Sequence, residues 1–163
     1  MWPDAVQRVA DFLRDARAEA TIEEFPNGTP TAEAAAKAVG VEPARIVKSL
    51  VFVCDGLPVL ALVPGDRRAD GEKIRGAVEA RVCRVANREE VAAATGFAPG
   101  AVAPFPLSSV TTVLIDRSLL AHESVWVGAG SPNHLARLQP GELLRLSRAR
   151  QMDAVAEHTY HSD

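Results

Sequence analysis

Ile46-Val47-Lys48-Ser49-Leu50-Val51-Phe52-Val53-Cys54 is the run on which the reading of this chain turns. It is short, rich in β-branched residues and closed by the turn pair Asp55-Gly56. Such a run predicts a strand buried on both faces, inside a sheet. Pro58 to Val63 is a second apolar run directly after the turn, so the two strands form an antiparallel hairpin. Lys48 is the residue out of place, because an ammonium is costly to take out of water without a partner. Two explanations stay open. Either its stem lies along the start of the strand with the charge in solvent, or the strand end opens into a pocket where Lys48 meets an anion. The chain has only three lysines (Lys37, Lys48 and Lys73), and its other basic residues are arginines.

Working outward, residues 3 to 20 carry Val6, Val9, Ala10, Leu13 and Ala16 at helical spacing, with Pro3 or Asp4 suited to the first turn. Ile22 to Phe25 reads as a short strand and Pro26-Asn27-Gly28 as a turn. Thr29 and Pro30 read as the cap and first residue of a second helix, which stops at Gly40. Val41 to Arg45 connects it to the central strand. Asp70 is placed to cap a helix over 71–80, and Arg81 to Ala86 is strand-like. Asn87 with Glu90 has the capping-box spacing for a helix ending at Gly96. Thr111 to Ile115, Ser124 to Val127 and Asn133 to Leu138 are further strands, and Pro140 opens a helix through Leu146. The order predicts an α+β domain with a curved, barrel-like, mostly antiparallel mixed sheet flanked by helices. The expectation is a single domain over residues 1–163, with a polar tail from about residue 147, carrying His158 and His161, that frays or finishes as a loose helix.

The segment Gly96-Phe97-Ala98-Pro99-Gly100-Ala101-Val102-Ala103-Pro104-Phe105-Pro106 carries no charge. Glycines allow close backbone approach and prolines stiffen the path. Free amides in such a loop can hold an oxyanion or a carbonyl oxygen. Equally, the segment can be a buried connection that packs Phe97 and Phe105 on the core.

Composition narrows the field. Of 163 residues, 47 % are hydrophobic and 24 % charged, an ordinary globular balance. The net charge of −3 argues against coating long stretches of nucleic acid, while leaving room for a local basic site. Cys54 and Cys83 have no metal-ligand spacing, so two reduced, buried thiols are expected. No stretch has the length of a membrane span or the pattern of a secretory leader, which leads to the expectation of a soluble cytoplasmic protein.

Val47-Lys48-Ser49-Leu50-Val51-Phe52 resembles the "VKTLVF" strand of the YbaK and prolyl-tRNA-synthetase-associated editing domains. Thr95-Gly96-Phe97 and Gly100-Ala101-Val102-Ala103-Pro104 are similar to that family's "TGY…GGxSP" segment. Ile115-Asp116, Val125 to Gly130 and Pro140 to Leu144 resemble its closing strands and last helix, so the likeness runs over roughly residues 20 to 146. The resemblance implies a free-standing aminoacyl-tRNA deacylase that hydrolyses the ester of a mischarged tRNA, such as tRNA(Pro). The alternative is a non-catalytic relative that binds acceptor ends or another phosphate-bearing ligand.

Hydrolysis of an activated ester needs a polarised carbonyl and an ordered substrate more than a protein nucleophile. The resemblance accordingly makes Lys48 and Gly100 the catalytic candidates. It gives Phe97, Ala101, Ala103, Pro104, Gly128, Gly130 and Ser131 as the substrate-binding set, with no metal and no cofactor. Mischarged tRNA is the implied partner, with prolyl-tRNA synthetase a candidate second one; DNA and membranes are not implied. His134 reads as a half-exposed strand residue. The chain departs from the cysteine-editing branch at Ala103 and Gly128, where that branch has serines, and at Leu135, where it has a carboxylate. Without those polar groups selection falls back on size, and a small aminoacyl group such as alanine is expected, with serine or threonine the nearest competitor through a free Ser131 hydroxyl.

Overall fold

The computed structural model describes residues 2–157. In chain order the elements are α1 (Asp4–Asp15), β1 (Ala20–Glu24), α2 (Ala32–Val39), β2 (Val47–Cys54), β3 (Leu57–Pro64), α3 (Gly71–Ala77), β4 (Cys83–Val85), α4 (Arg88–Thr95), β5 (Thr112–Asp116), β6 (Val125–Gly128), β7 (His134–Leu138), α5 (Pro140–Ser147) and β8 (Arg150–Met152). Short 3₁₀ turns precede β2, at Pro43–Arg45, and follow β5, at Arg117–Ala121.

The strands form two sheets rather than a barrel. One has the order β4-β2-β3-β5-β8 and the other β1-β7-β6. The hairpin β2–β3 is antiparallel as expected, with Val47 opposite Pro64 and Cys54 opposite Leu57. The pairs β3–β5 and β5–β8 are parallel, whereas β1–β7, β6–β7 and β2–β4 are antiparallel. The sheets touch through one isolated bridge, Ile46 to Trp126. A single bridge at one end of β2 does not continue the hydrogen-bonded wall, so the barrel-like expectation is corrected to a mixed α+β fold with two open sheets.

β2 is buried on both faces because its side chains alternate between two cores. Val47 and Val51 enter the main core with Leu60, Leu62, Val9, Leu13, Phe97, Ile115 and Val127. Phe52 and Cys54 enter a second core with Ala61, Ile74 and Leu114 under α3. α1 contributes Val6, Val9 and Leu13, the three- and four-residue steps read from sequence.

Three local expectations need correction. Thr31, not Thr29, caps α2, its side chain accepting from the Ala34 amide at 3.0 Å. Thr29 is tied instead to the Pro132 carbonyl through its amide at 2.9 Å and its hydroxyl at 3.2 Å. The tail does not fray over its first ten residues: β8 joins the sheet, and Ala154 and Val155 are buried against Val63. A polar composition hid two small apolar anchors. His158 and His161 lie outside the described residues.

The third correction concerns the cysteines. Cys54 and Cys83 form a disulfide, and the described residues hold no free thiol. The physical reason is register: β4 docks on β2 with Cys83 directly opposite Cys54, Cα atoms 4.1 Å apart. Sequence reading found both strands but not that they were neighbours. We expect the protein, purified without reductant, to take up no alkylating agent, and to take up two equivalents after reduction. For a sequence separation of 29, replacing both cysteines by alanine is expected to cost about 3.6 kcal/mol in a denaturant titration. Two free thiols in the unreduced protein would contradict the pairing.

Candidate active site

The site follows from a gap in the sheet. One edge of β2 is paired with β3 along its whole length. On the other edge β4 pairs only with Phe52 to Cys54, and β6 is bridged to the chain only at Ile46–Trp126. Lys48, Ser49 and Leu50 therefore have no strand partner on that side. The segment Pro99 to Val102 lies beside the opening, and a cleft forms on each side of it. The larger, about 530 Å³, is bounded by Arg68, Arg84, Val85, Val91 and Pro99. The smaller, about 390 Å³, is bounded by Thr31, Ala32, Ala35, Ile46, Gly128 and Leu135. Lys48, Ser49, Leu50, Gly100 and Val102 belong to both walls.

Lys48 is half-buried, and its ammonium donates to the Arg67 carbonyl at 2.6 Å. Burial, foremost, pushes its pKa below the ordinary lysine value; Asp66 opposes that shift and Arg68 adds to it. The snorkelling explanation therefore describes the stem but not the head, which is held part-buried on a carbonyl, and the residue belongs to both cleft walls. Arg84, by contrast, is held in a two-pronged ion pair with Glu90 at 2.7 Å on each prong, and this holds the Glu90 carboxyl down to about 2. Arg68 forms no ion pair among the described residues, which leaves Lys48 and Arg68 as the cations available to an anion in the larger cleft.

The loop is held from behind. Asn87 and Glu90 form the reciprocal capping box at the start of α4. Gly96 ends the helix in the left-handed region, and the Thr95 hydroxyl accepts from the Phe97 amide at 3.1 Å. Phe97 is buried beneath the Arg8 guanidinium, 5.0 Å from its ring centroid. Gly100 has φ +84° with open space where a Cβ would stand, so its conformation, not crowding, selects glycine. The Ala101 amide is spent on the Ala98 carbonyl at 3.0 Å. The Gly100 and Val102 amides donate to no acceptor among the described residues. Gly128 is a packing glycine: a Cβ there would stand 2.5 Å from the Val102 carbonyl oxygen.

The structure brings Lys48, Gly100 and Gly128 together around the clefts and leaves the other sequence candidates elsewhere. Phe97, Ala101 and Ala103 are buried in or beside the core. Pro104 lines a separate cleft with Phe12, Phe105 and Arg148. Gly130 packs under the Ala5 carbonyl of α1. The Ser131 hydroxyl is not free, being 2.6 Å from His134 Nδ1 and accepting from the Asn133 amide at 2.9 Å. His134 is buried rather than half-exposed, with Trp2 set edge-on against it and Glu24 4.0 Å from Nε2.

Val102 falls within the Gly100 to Pro104 wall expected from the sequence, whereas two cleft residues, Ser49 and Arg68, carry no sequence assignment. The Ser49 hydroxyl is buried with no partner among the described residues, though both clefts border its residue. A lone serine inside an apolar strand was the available signal. Nothing in the sequence sets Arg68 apart from its neighbours.

An α+β domain that lines paired clefts with one lysine and unpaired backbone amides has the equipment of a protein that binds an anionic substrate and polarises a carbonyl. Comparison with known proteins names the family. Residues 26–146 match the model of the aminoacyl-tRNA editing domain, and the chain belongs to that family. It is 35 % identical over 130 residues to the uncharacterized protein YwhH of Bacillus subtilis (strain 168), covering 79 % of this chain and 82 % of that one. It is 30 % identical over 149 residues to a proline–tRNA ligase of Maridesulfovibrio salexigens, covering 90 % of this chain but only 25 % of the ligase. The chain thus spans about a quarter of the ligase's length. The crystal structure of a proposed trans-editing enzyme for prolyl tRNA synthetase superposes with a TM-score of 0.89 at 37 % identity, covering 96 % of this chain and all of that one (100 %).

Two outcomes are expected for Lys48→Met. Ester hydrolysis should fall by about a hundredfold or more, the scale of losing a charge-stabilising donor. Stability at pH 7 should hold or rise, since a desolvated charge is removed. The sign with pH follows from the lowered pKa: as pH rises, native Lys48 releases its proton before the unfolded chain does. Any deficit of the wild type relative to Lys48→Met should therefore shrink as pH approaches the ordinary lysine value of 10.5. Denaturant midpoints at neutral and alkaline pH measure it, and a deficit that widened would reverse the assignment.

Proposed function

We propose that the Lys48–Gly100 clefts carry out trans-editing: hydrolysis of the ester of a tRNA mischarged with a small amino acid, tRNA(Pro) being the favoured carrier. The observation that carries this reading is the meeting of Lys48 with two backbone amides that have no acceptor, on the uncovered edge of β2. The terminal nucleotide occupies the larger cleft, its phosphate toward Lys48 and Arg68. The aminoacyl group occupies the smaller one, against Ala32, Ala35, Ile46 and Leu135.

Water attacks the ester carbonyl carbon, and the Gly100 and Val102 amides take the developing oxyanion. The bond from the carbonyl carbon to the ribose oxygen then breaks. The amino acid leaves with the water oxygen, and the ribose oxygen takes up the proton the water gave up. The neighbouring ribose hydroxyl passes that proton on, so no protein triad is needed. Such work belongs where tRNA is charged, in the cytoplasm, with prolyl-tRNA synthetase as the partner whose errors are removed. Among the described residues no helix is long and apolar enough to cross a membrane.

Selectivity rests on the small cleft's size. Gly128 contributes no lost hydroxyl there, because the Val102 carbonyl fills the space a side chain would need. Leu135 is the large apolar residue of the wall and takes the place of the carboxylate of cysteine-editing relatives. On a single tRNA charged in turn with alanine, serine, threonine, cysteine or proline, alanine should be released fastest. Leu135→Ala should raise the relative rate on larger aminoacyl groups by about tenfold or more, the scale of one to two methylenes in an apolar pocket. Acceptor-end binding without ester loss on any of the five would mean a binding protein rather than a deacylase.

A further inference from the structure

The tail, expected to fray, crosses the segment on which Lys48 rests. After β8 the chain runs back along residues 64–70 as an antiparallel strap, with Ala69 bridged to Val155. The Asp70 amide donates to the Ala154 carbonyl at 2.8 Å, and the Ala156 amide donates to the Arg68 carbonyl at 2.8 Å. The Lys73 ammonium donates to the Val155 carbonyl at 2.8 Å and pairs with Asp153 at 2.9 Å. At the strap's start, buried Asp116 accepts from the Ala154 amide at 2.8 Å and also from the Ser118 amide and hydroxyl. Ala154 and Val155 are buried beside Val63, the residue paired with Lys48 across the hairpin.

Arg67 joins the strap to the site. Its guanidinium donates to the Ala156 carbonyl, while its own backbone carbonyl accepts from the Lys48 ammonium at 2.6 Å. Arg67 does not itself line either cleft. The 64–70 turn is anchored at its ends, by Pro64 opposite Val47 in the hairpin and by Asp70 capping α3; between them its other backbone ties are the Gly65 amide to the Ile46 carbonyl at 2.7 Å and the Arg67 amide to the Pro64 carbonyl at 3.2 Å. Between those anchors, the residues next to the carbonyl that orients Lys48 are held by Ala154, Val155 and Ala156.

We propose that Arg67 is a positioning residue and that the strap over residues 150–157 sets the reach of Lys48 into the clefts. The strap completes the site from outside it. Without its grip the 64–70 turn moves, the Arg67 carbonyl leaves Lys48, and the ammonium loses the direction that lets it meet a substrate anion. Its consequence for catalysis rests on the deacylase reading above. Its consequence for Lys48 itself does not.

The test combines both. Wild type, Arg67→Met, Arg67→Lys and Lys73→Met are labelled with a trace of acetic anhydride, and Lys48 acetylation is measured by mass spectrometry against exposed Lys37. Loss of its acceptor both lowers the affinity of Lys48 for its proton and frees the amine, so its labelling in Arg67→Met should rise by about threefold or more. Arg67→Lys, which can still donate to Ala156, should restore much of the wild-type value. Deacylation of alanyl-tRNA(Pro) is followed in parallel: kcat should fall by about tenfold in Arg67→Met and should fall no further when Arg67→Met is added to Lys48→Met, since the two act as one unit. A purely structural effect would instead add to the Lys48→Met loss. If Arg67→Met does not fold, Lys73→Met cuts the strap at a half-buried surface position and should raise Lys48 labelling in the same direction. Unchanged Lys48 labelling in the folded variants, or a full additive loss in the double variant, would overturn the proposal. A wild type that releases no amino acid would sink the deacylase reading while leaving the labelling result to decide the role of Arg67.

Discussion

One edge of one strand governs this molecule. β2 is paired with β3 from end to end, but its other edge meets β4 at one end and a single bridge to β6 at the other. The stretch between exposes backbone and side chains that elsewhere in a sheet would be covered. Lys48 is tolerable in an otherwise apolar strand because it lies at that opening, where its stem stays packed while its head finds a carbonyl. The same opening puts Ser49 and Leu50 on the walls of both clefts.

What closes over the edge is held by close backbone contact rather than by large side chains. The Val102 carbonyl sits where a side chain at position 128 would be, so β6 and the loop approach as nearly as a glycine allows. Capped α4, the Thr95 hydroxyl and the Arg8–Phe97 contact fix the loop's entry. Rigidity of this kind suits a site that works through oriented amides, because donors already in place need no reorganisation as charge develops. The disulfide fixes the opposite rim, since Cys83 and the residues after it border the larger cleft.

Much of this was legible in the sequence, for local reasons. The hairpin, the caps at Asp70 and Asn87 and the stops at Gly40 and Gly96 are written in short-range chemistry. Lys48 stood out because a buried strand rarely carries an ammonium. What failed was whatever depended on neighbours distant in sequence. Cys54 and Cys83 read as separate thiols because nothing local tells that β4 lies beside β2. The resemblance groups Ala103, Gly130 and Ser131 with the site, whereas the fold sends Ala103 into the core, Gly130 against α1 and Ser131 to His134. The tail reads as polar because the contacts that hold it are backbone hydrogen bonds and two small buried side chains, to which composition is blind.

The central claim, that the uncovered edge of β2 and the amides beside it form the working site, is open to one direct measurement. Amide NMR shifts can be followed while a non-hydrolysable 3′-alanylamino-adenosine is titrated into the protein. We expect the shifts to concentrate at Lys48 to Leu50, Gly100 and Val102, with the Gly100 and Val102 amides moving as newly bonded donors. Shifts that left those residues still and gathered instead at the cleft of Phe12, Phe105 and Arg148 would place the site on the wrong side of the molecule.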